Sequence, residues 1–262
     1  MNIEEKMKRG LPLDNYLIID CHNHIGCWAA FYVSENGTAE SMLGSMNNLG
    51  IDKVFITAHS SIGPNYIYGN DIVIDAVTRY PYRFIGYVTV NPNYINDIEN
   101  ELKRCFAVEG MRGIKIHPSM HGCPIDFKNY RKAYEMANEK ECPILIHVWG
   151  RGDVAIVDKL AAQYPDAQFI MGHSGADQKA MEDAVQVSNR RPNAYLDLAL
   201  SFAFQGNVEW FVKEAGSKKV LFGSDMPFYD PRHTIGRVAL ADISDEEKRD
   251  ILGLNMKRIL SL

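Results

Sequence analysis

Leu17-Ile18-Ile19-Asp20-Cys21-His22-Asn23-His24 is an apolar run that closes on a His-x-His pair. Three later runs end the same way, on a metal-binding side chain. They are Ile144-Leu145-Ile146-His147, Phe169-Ile170-Met171-Gly172-His173 and Val220-Leu221-Phe222-Gly223-Ser224-Asp225. Imidazole and carboxylate are the groups that hold a zinc-type ion and leave a position open for water. A barrel gathers such groups where its strands end. The pattern points to a metal-dependent enzyme.

Working outward, β-type runs lie near residues 17–22, 52–58, 84–90, 112–117, 143–148, 167–172, 194–199 and 219–224. Amphipathic segments separate them at about 39–49, 70–80, 95–108, 127–140, 153–163, 176–190 and 207–215, and two more, about 244–251 and 255–261, close the chain. The β-type runs are almost continuously apolar, as expected when both faces of a sheet are covered. Gly110, Gly113 and Gly216 stand near helix ends or strand starts. Pro92, Pro118 and Pro227 follow strands and stop the ladder. Ser244 and Glu247 have capping-box spacing. Eight β-then-α units predict a parallel sheet closed into an α/β fold, the (β/α)8 TIM-type barrel, possible distortion included. Residues 1–262 read as one barrel domain, with 1–15 a leader ahead of the first strand.

A chain of 262 residues suits that fold, which takes about 250. With 28 basic against 33 acidic residues, net charge is −5 and no basic footprint for nucleic acid exists. The Lys6-Met7-Lys8-Arg9 cluster reads as a solvated end. No apolar run reaches the roughly 20 residues that cross a bilayer, and the amino terminus lacks the order of a secretion signal. The five cysteines have no framework spacing and read as free thiols in a reducing cytoplasm, with Cys105 and Cys142 in the core. A cytoplasmic location is therefore expected. The expected partners are a small-molecule substrate and, as an open matter, further copies of the chain; nucleic acid and membrane are not expected.

His22 and His24 are two apart on a strand and so share a face. With His147 and Asp225 they make a mononuclear metal site that water or substrate would complete. A single histidine after an apolar run more often bonds to backbone; the joint pattern carries the reading. Cys21 alternates away from the ligands. Weaker candidates are His59, Asn91, His121, Arg232 and His233 at strand ends or in loops. Trp149 would stack on a planar substrate or pack under its loop. Arg151 would grip a carboxylate or serve as a surface cation. Asp197 would orient a ligand or cap the next element.

Several stretches together resemble the amidohydrolase superfamily, nearest its amidohydrolase-related branch of metal-dependent hydrolases and decarboxylases. They are Ile19–His24, Gly113-Ile114-Lys115-Ile116-His117-Pro118, Ile146-His147, Gly172-His173-Ser174-Gly175, Leu221–Pro227 and the terminal Leu254–Leu260. The resemblance implies a distorted barrel, a divalent metal held by His22, His24, His147 and Asp225, and a catalytic His173 beside it. Zinc is the first expectation, with manganese, iron and cobalt open. Asp225 would also accept a proton from bound water. Lys115 is either an interior cation, for which Asp20 is a candidate partner, or a carboxylated bridge between two metals; one metal is the expectation. Lys115, His117 and Trp149 are the candidate substrate contacts, with a structural role equally open for His117. The function expected is hydrolysis of a small amide, ester or lactone. The alternative is non-oxidative decarboxylation of a small unsaturated or aromatic acid. A barrel that has lost catalysis and only binds is a third reading, against which the full set of ligands speaks.

Overall fold

The computed structural model describes residues 1–28, 32–199 and 203–262. Its strands are β1 Ile19–Asp20, β2 His24–Ile25, β3 Lys53–Ala58, β4 Phe84–Thr89, β5 Met111–Ile116, β6 Pro143–Trp149, β7 Gln168–Gly175, β8 Ala194–Asp197 and β9 Val220–Leu221. All pairings are parallel, in the order β1-β3-β4-β5-β6-β7-β8-β9, with β2 also on β3. β1 and β2 are two halves of one stave, so eight parallel staves alternate with helices, as in a TIM barrel.

The last stave meets the first through single backbone bonds. Cys21 N–H donates to the Phe222 carbonyl (2.9 Å), Asp225 N–H to the His22 carbonyl (2.8 Å) and His24 N–H to the Met226 carbonyl (2.7 Å). The first stave breaks after Asp20 because that carboxylate takes over as acceptor. Its Oδ1 receives the N–H groups of His22 (3.2 Å) and Ser224 (3.0 Å). The expected strand over 17–22 is therefore two short pieces, and that over 219–224 shrinks to Val220–Leu221.

Alternation sorts the side chains. Val54, Ile56, Val88, Ile144, Ile146, Phe169, Met171 and Val220 pack outward against the helices. Ile19, Phe55, Tyr87, Leu145, Ile170 and Leu221 form a separate inner cluster with Met256 and Leu260 of the closing helix. That apolar plug is the floor beneath the polar strand ends. Cys21 belongs to it, with Sγ 3.9 Å from Asp197 Oδ1, so it does not turn away as alternation had predicted; the break in the stave removes the strict period. Cys105 and Cys142 lie in the outer core.

Most helices fall where expected, among them Ala39–Leu49, Arg151–Gln163 and Asn207–Ala215. The leader holds a helix, Ile3–Lys8, with an Asn2/Glu5 capping box. An unforeseen helix, Pro231–Ala239, has Asp230 as N-cap and proline in its first turn, a start signal present in the sequence. The two closing helices, Asp245–Arg249 and Asn255–Ile259, are joined by a π-helical turn, Asp250–Leu254. No helix among the described residues is long and apolar enough to cross a membrane.

That π turn seats the closing helix on the first stave. A Cβ at Gly253 would lie 2.3 Å from the Leu17 carbonyl oxygen, whereas one at Gly236 would meet nothing within 4 Å. Gly253→Ala should cost about 1–3 kcal/mol through overpacking. Gly236→Ala, inside a helix, should be neutral or gain up to about 1 kcal/mol. Denaturant unfolding of both variants checks the contrast; equal stabilities would contradict it.

Candidate metal centre

Two glycines make room for His22. A Cβ at Gly223 would stand 2.0 Å from Asp197 Oδ1 and 3.0 Å from the His22 Cβ; one at Gly172 would stand 2.7 Å from the Ile146 carbonyl and 3.4 Å from His22 Cε1. In that space Asp197 Oδ2 accepts from His22 Nδ1 at 2.7 Å. The same carboxylate accepts the backbone N–H groups of His173 (3.1 Å) and Ala199 (3.0 Å). With its proton on Nδ1, His22 presents an Nε2 lone pair, towards which Lys115 Nζ donates at 3.0 Å.

Asp225 Oδ1 lies 3.8 Å from His22 Nε2 and 3.1 Å from His24 Nε2. One donor atom from each of His22, His24 and Asp225 falls within 4.8 Å of the others. Ligands about 2.1 Å from a tetrahedral ion stand about 3.4 Å apart, so the three fit a divalent cation between them. His22, His173 and Asp197 also cluster within 4.8 Å, but there His22 Nδ1 is already spent on Asp197.

His147 stands outside the tight group and joins it through His173. His173 Nδ1 makes a short hydrogen bond to the Ala199 carbonyl, which can only accept. Its Nε2 is therefore a lone pair, 3.1 Å from His147 Nδ1. His147 must be the donor there, which leaves its own Nε2 as a lone pair. The His147 ring is sandwiched between His117 (4.0 Å, 15°) and Trp149 (5.6 Å, 7°). His173 and Asp225 both adopt left-handed backbone, φ 61° and 62°, strain of a kind that concentrates at functional sites.

Burial keeps the imidazoles neutral. It pushes His24 and His173 down to about 4 and His147 to about 2, and lowers His22, with Lys115 adding to the effect at His22. Burial opposes the charge on Asp225, but His22 and the bond from His24 outweigh it and hold the carboxyl well below the usual range. Burial also lowers Lys115 to about 8, countered by Asp225 and Asp197. At neutral pH the charged groups beside the histidines are the carboxylates of Asp197 and Asp225 and the ammonium of Lys115, a net negative charge that a divalent cation would offset.

Lys115 faces this cluster from the fourth stave, but its expected partner does not. Asp20 makes no bond to it, being committed to the backbone of His22 and Ser224, and burial raises it to about 7. His117 also bonds Ser119 Oγ at 3.2 Å. Trp149 is 54% exposed and offers its outer face at the mouth. Arg151 is a surface cation paired with Asp183. His121 is buried against Tyr130 rather than free in a loop. Asn91 braces its own turn through Asn93, and Arg232 and His233 are exposed on the added helix. His59, by contrast, stacks on His24 at 4.8 Å. The sequence reading passed over Gly172 and Gly223, although glycine at a strand end does signal close approach.

No curated protein matches the chain. Among solved structures, 5-carboxyvanillate decarboxylase from Novosphingobium aromaticivorans, complexed with manganese and 4-hydroxy-3-methoxy-5-nitrobenzoic acid, is similar at TM-score 0.74 and 18% identity, covering 95% of this chain and 97% of that one. The 2,6-dihydroxybenzoate decarboxylase from Rhizobium is similar at 0.75 and 14%, covering 94% and 99%. A "probable 2-pyrone-4,6-dicarboxylic acid hydrolase" from Acinetobacter baumannii, with citric acid bound, is similar at 0.74 and 16%, covering 94% and 99%. At such identities these likenesses concern the fold. The family model described as Amidohydrolase matches residues 19–262, from the first stave to the last residue, and the chain belongs to that family.

Proposed function

We propose that the protein is a hydrolase that binds one divalent metal and acts on a small amide, ester or lactone. The observation that carries this reading is the ionised Asp225 carboxylate, 3.1 and 3.8 Å from two histidine donor nitrogens. A proton acceptor thus stands inside the donor set itself. His22, His24 and Asp225 would hold the metal, with His147 as the fourth ligand through Nε2. A bound divalent ion lowers the pKa of its water from about 15.7 towards roughly 7.

The chain's own groups do the rest. Asp225 takes the proton that water loses as its oxygen bonds to the acyl carbon. His173 holds its Nδ1 proton on Ala199 and keeps Nε2 as a lone pair; that nitrogen would receive the water-derived proton from Asp225 and pass it to the leaving oxygen or nitrogen as the acyl bond breaks. Lys115 and the exposed face of Trp149 would contact an anionic, planar substrate. Zinc suits this donor set, and manganese, present in one structural neighbour, suits it also. The chain acts as one domain on a small molecule, in the cytoplasm.

Decarboxylation is the second reading, favoured by the buried Lys115 cation and by the fold neighbours named as decarboxylases. There the carbon–carboxylate bond breaks, carbon dioxide leaves, and carbon gains a proton. A panel of lactones, amides and aromatic acids in 18O-labelled water separates the two. Label in the product acid supports hydrolysis; carbon dioxide release without label overturns it.

Metal analysis should find about one divalent ion per chain, removable by chelator with loss of turnover. Asp225→Asn should weaken metal binding and abolish turnover, since asparagine accepts the left-handed backbone but neither the charge nor the proton. Two metals per chain, with a carboxylated Lys115 seen by mass spectrometry or crystallography, would overturn the one-metal reading.

His173→Ala should retain metal at saturating concentration yet lose about 10²–10⁴-fold in rate, the usual worth of an acid–base group. Parallel loss of metal at saturation would make His173 a ligand instead. Metal stoichiometry and kcat on the same preparations decide.

A further inference from the structure

The imidazoles around Asp225 are not equally supported. His22 has its Nδ1 pinned by Asp197 and His147 has its Nδ1 pinned by His173. His24 meets Asp225 through Nε2, while its buried Nδ1 has no partner. A neutral imidazole carries one proton. When Nε2 gives its lone pair to a cation, that proton sits on Nδ1 and needs an acceptor.

His59 supplies the complementary deficiency. Its ring lies over that of His24, 4.8 Å away and tilted by only 12°. Its Nδ1 is 2.7 Å from the Gly26 carbonyl oxygen, which can only accept, so the proton is on Nδ1. A neutral imidazole carries one proton, so with it on Nδ1 the Nε2 is a bare lone pair. That Nε2 is buried and unpartnered too. Both residues are more than nine-tenths buried, His24 at 5% and His59 at 3% exposure. With a cation on His24 Nε2, a donor in need of an acceptor would thus lie beside an acceptor in need of a donor, whereas without one His24 Nε2 donates to Asp225. Parallel rings cannot bond edge to edge directly, but one water can join them, and two polar partners are the minimum that holds a buried water.

We propose that His59 is a positioning residue for the metal centre: through a single bridging water its Nε2 receives the Nδ1 proton of His24, so that His24 Nε2 is presented as a ligand. The relay runs from the Gly26 carbonyl through His59 and the water to His24. It matches what Asp197 does for His22 and His173 for His147. The proposal rests on the reading of His24 as a metal ligand.

Two variants separate this role from ring packing. His59→Phe keeps the stacked ring and removes both nitrogens. His59→Gln removes the ring and keeps an acceptor at the Nε2 position. Zinc affinity of the metal-free proteins is measured by competition with a chromophoric chelator, beside thermal unfolding without metal. His59→Phe should bind zinc about 10–100-fold more weakly, with His59→Gln close to wild type. Wild-type affinity in the Phe variant, or equal losses in both, overturns the proposal. If wild type binds no zinc, or His24→Ala binds it as tightly as wild type, the metal reading itself fails and takes the proposal with it. Nitrogen-15 histidine spectra of wild type serve where a variant does not fold: His59 should be protonated at Nδ1 with an accepting Nε2 in the zinc-loaded protein, and an Nε2–H tautomer overturns the assignment.

Discussion

Asp197 is a carboxylate with no exposure to solvent, and the arrangement of the site hangs on it. It accepts the His22 ring proton and the backbone N–H groups of His173 and Ala199, while its carbonyl takes the Ser174 hydroxyl at 2.8 Å. One side chain from the seventh stave thus fixes a ring on the first and the backbone turn at the end of the sixth. A buried anion is costly unless its lone pairs are filled; three N–H donors fill them. Glycine at 223 is the geometric condition, since any Cβ there would meet that carboxylate.

From that fixed point, protonation states follow in sequence. Carbonyls and carboxylates can only accept, so each imidazole nitrogen facing one must carry its proton. Ala199 sets the tautomer of His173, which sets that of His147; Asp197 sets that of His22. His22 and His147 thus keep Nε2 as a lone pair, while His24, whose Nε2 faces the Asp225 carboxylate, carries its proton there when no cation is bound. The left-handed turns at His173 and Asp225 also shape the cluster, because a residue in regular extended conformation would send its side chain on by simple alternation. Asp225 is cheaper to hold there than most residues, as aspartate tolerates that region better.

Much of this was legible in the sequence. Alternating apolar runs and helical segments predicted the barrel, and the polar residue closing each run marked the strand ends that meet. His22, His24 and Asp225 do converge, though not by the route expected. His22 and His24 were read as two positions on one continuous strand, yet the stave breaks after Asp20 and Asn23 bridges to Met226. A side-chain carboxylate replacing a ladder bond leaves no periodic signature, and this is also why Cys21 was placed on the wrong face. Pairings between distant loops were equally hidden. Nothing near His59 in sequence announces His24, and nothing near Asp197 announces His22. The helix at Pro231–Ala239 is a different matter, for its Asp-Pro start was readable and passed over.

Fold cannot separate hydrolysis from decarboxylation, because one barrel hosts both chemistries and function resides in the site. The proposed reading rests on the proton inventory. Hydrolysis needs a group to take a proton from water; decarboxylation needs one to give a proton to carbon. Around Asp225 the imidazoles are neutral, and the carboxylate is ionised. Acceptors therefore outnumber donors. Lys115 is the cation among them, and its ammonium is directed at the lone pair of His22. A metal taking that lone pair would compete with the ammonium, for which a substrate carboxylate would be a suitable counter-ion under the proposed function. Under the proposed function Lys115 would anchor an anion in place rather than protonate it, and the acceptor-rich remainder would suit attack by water.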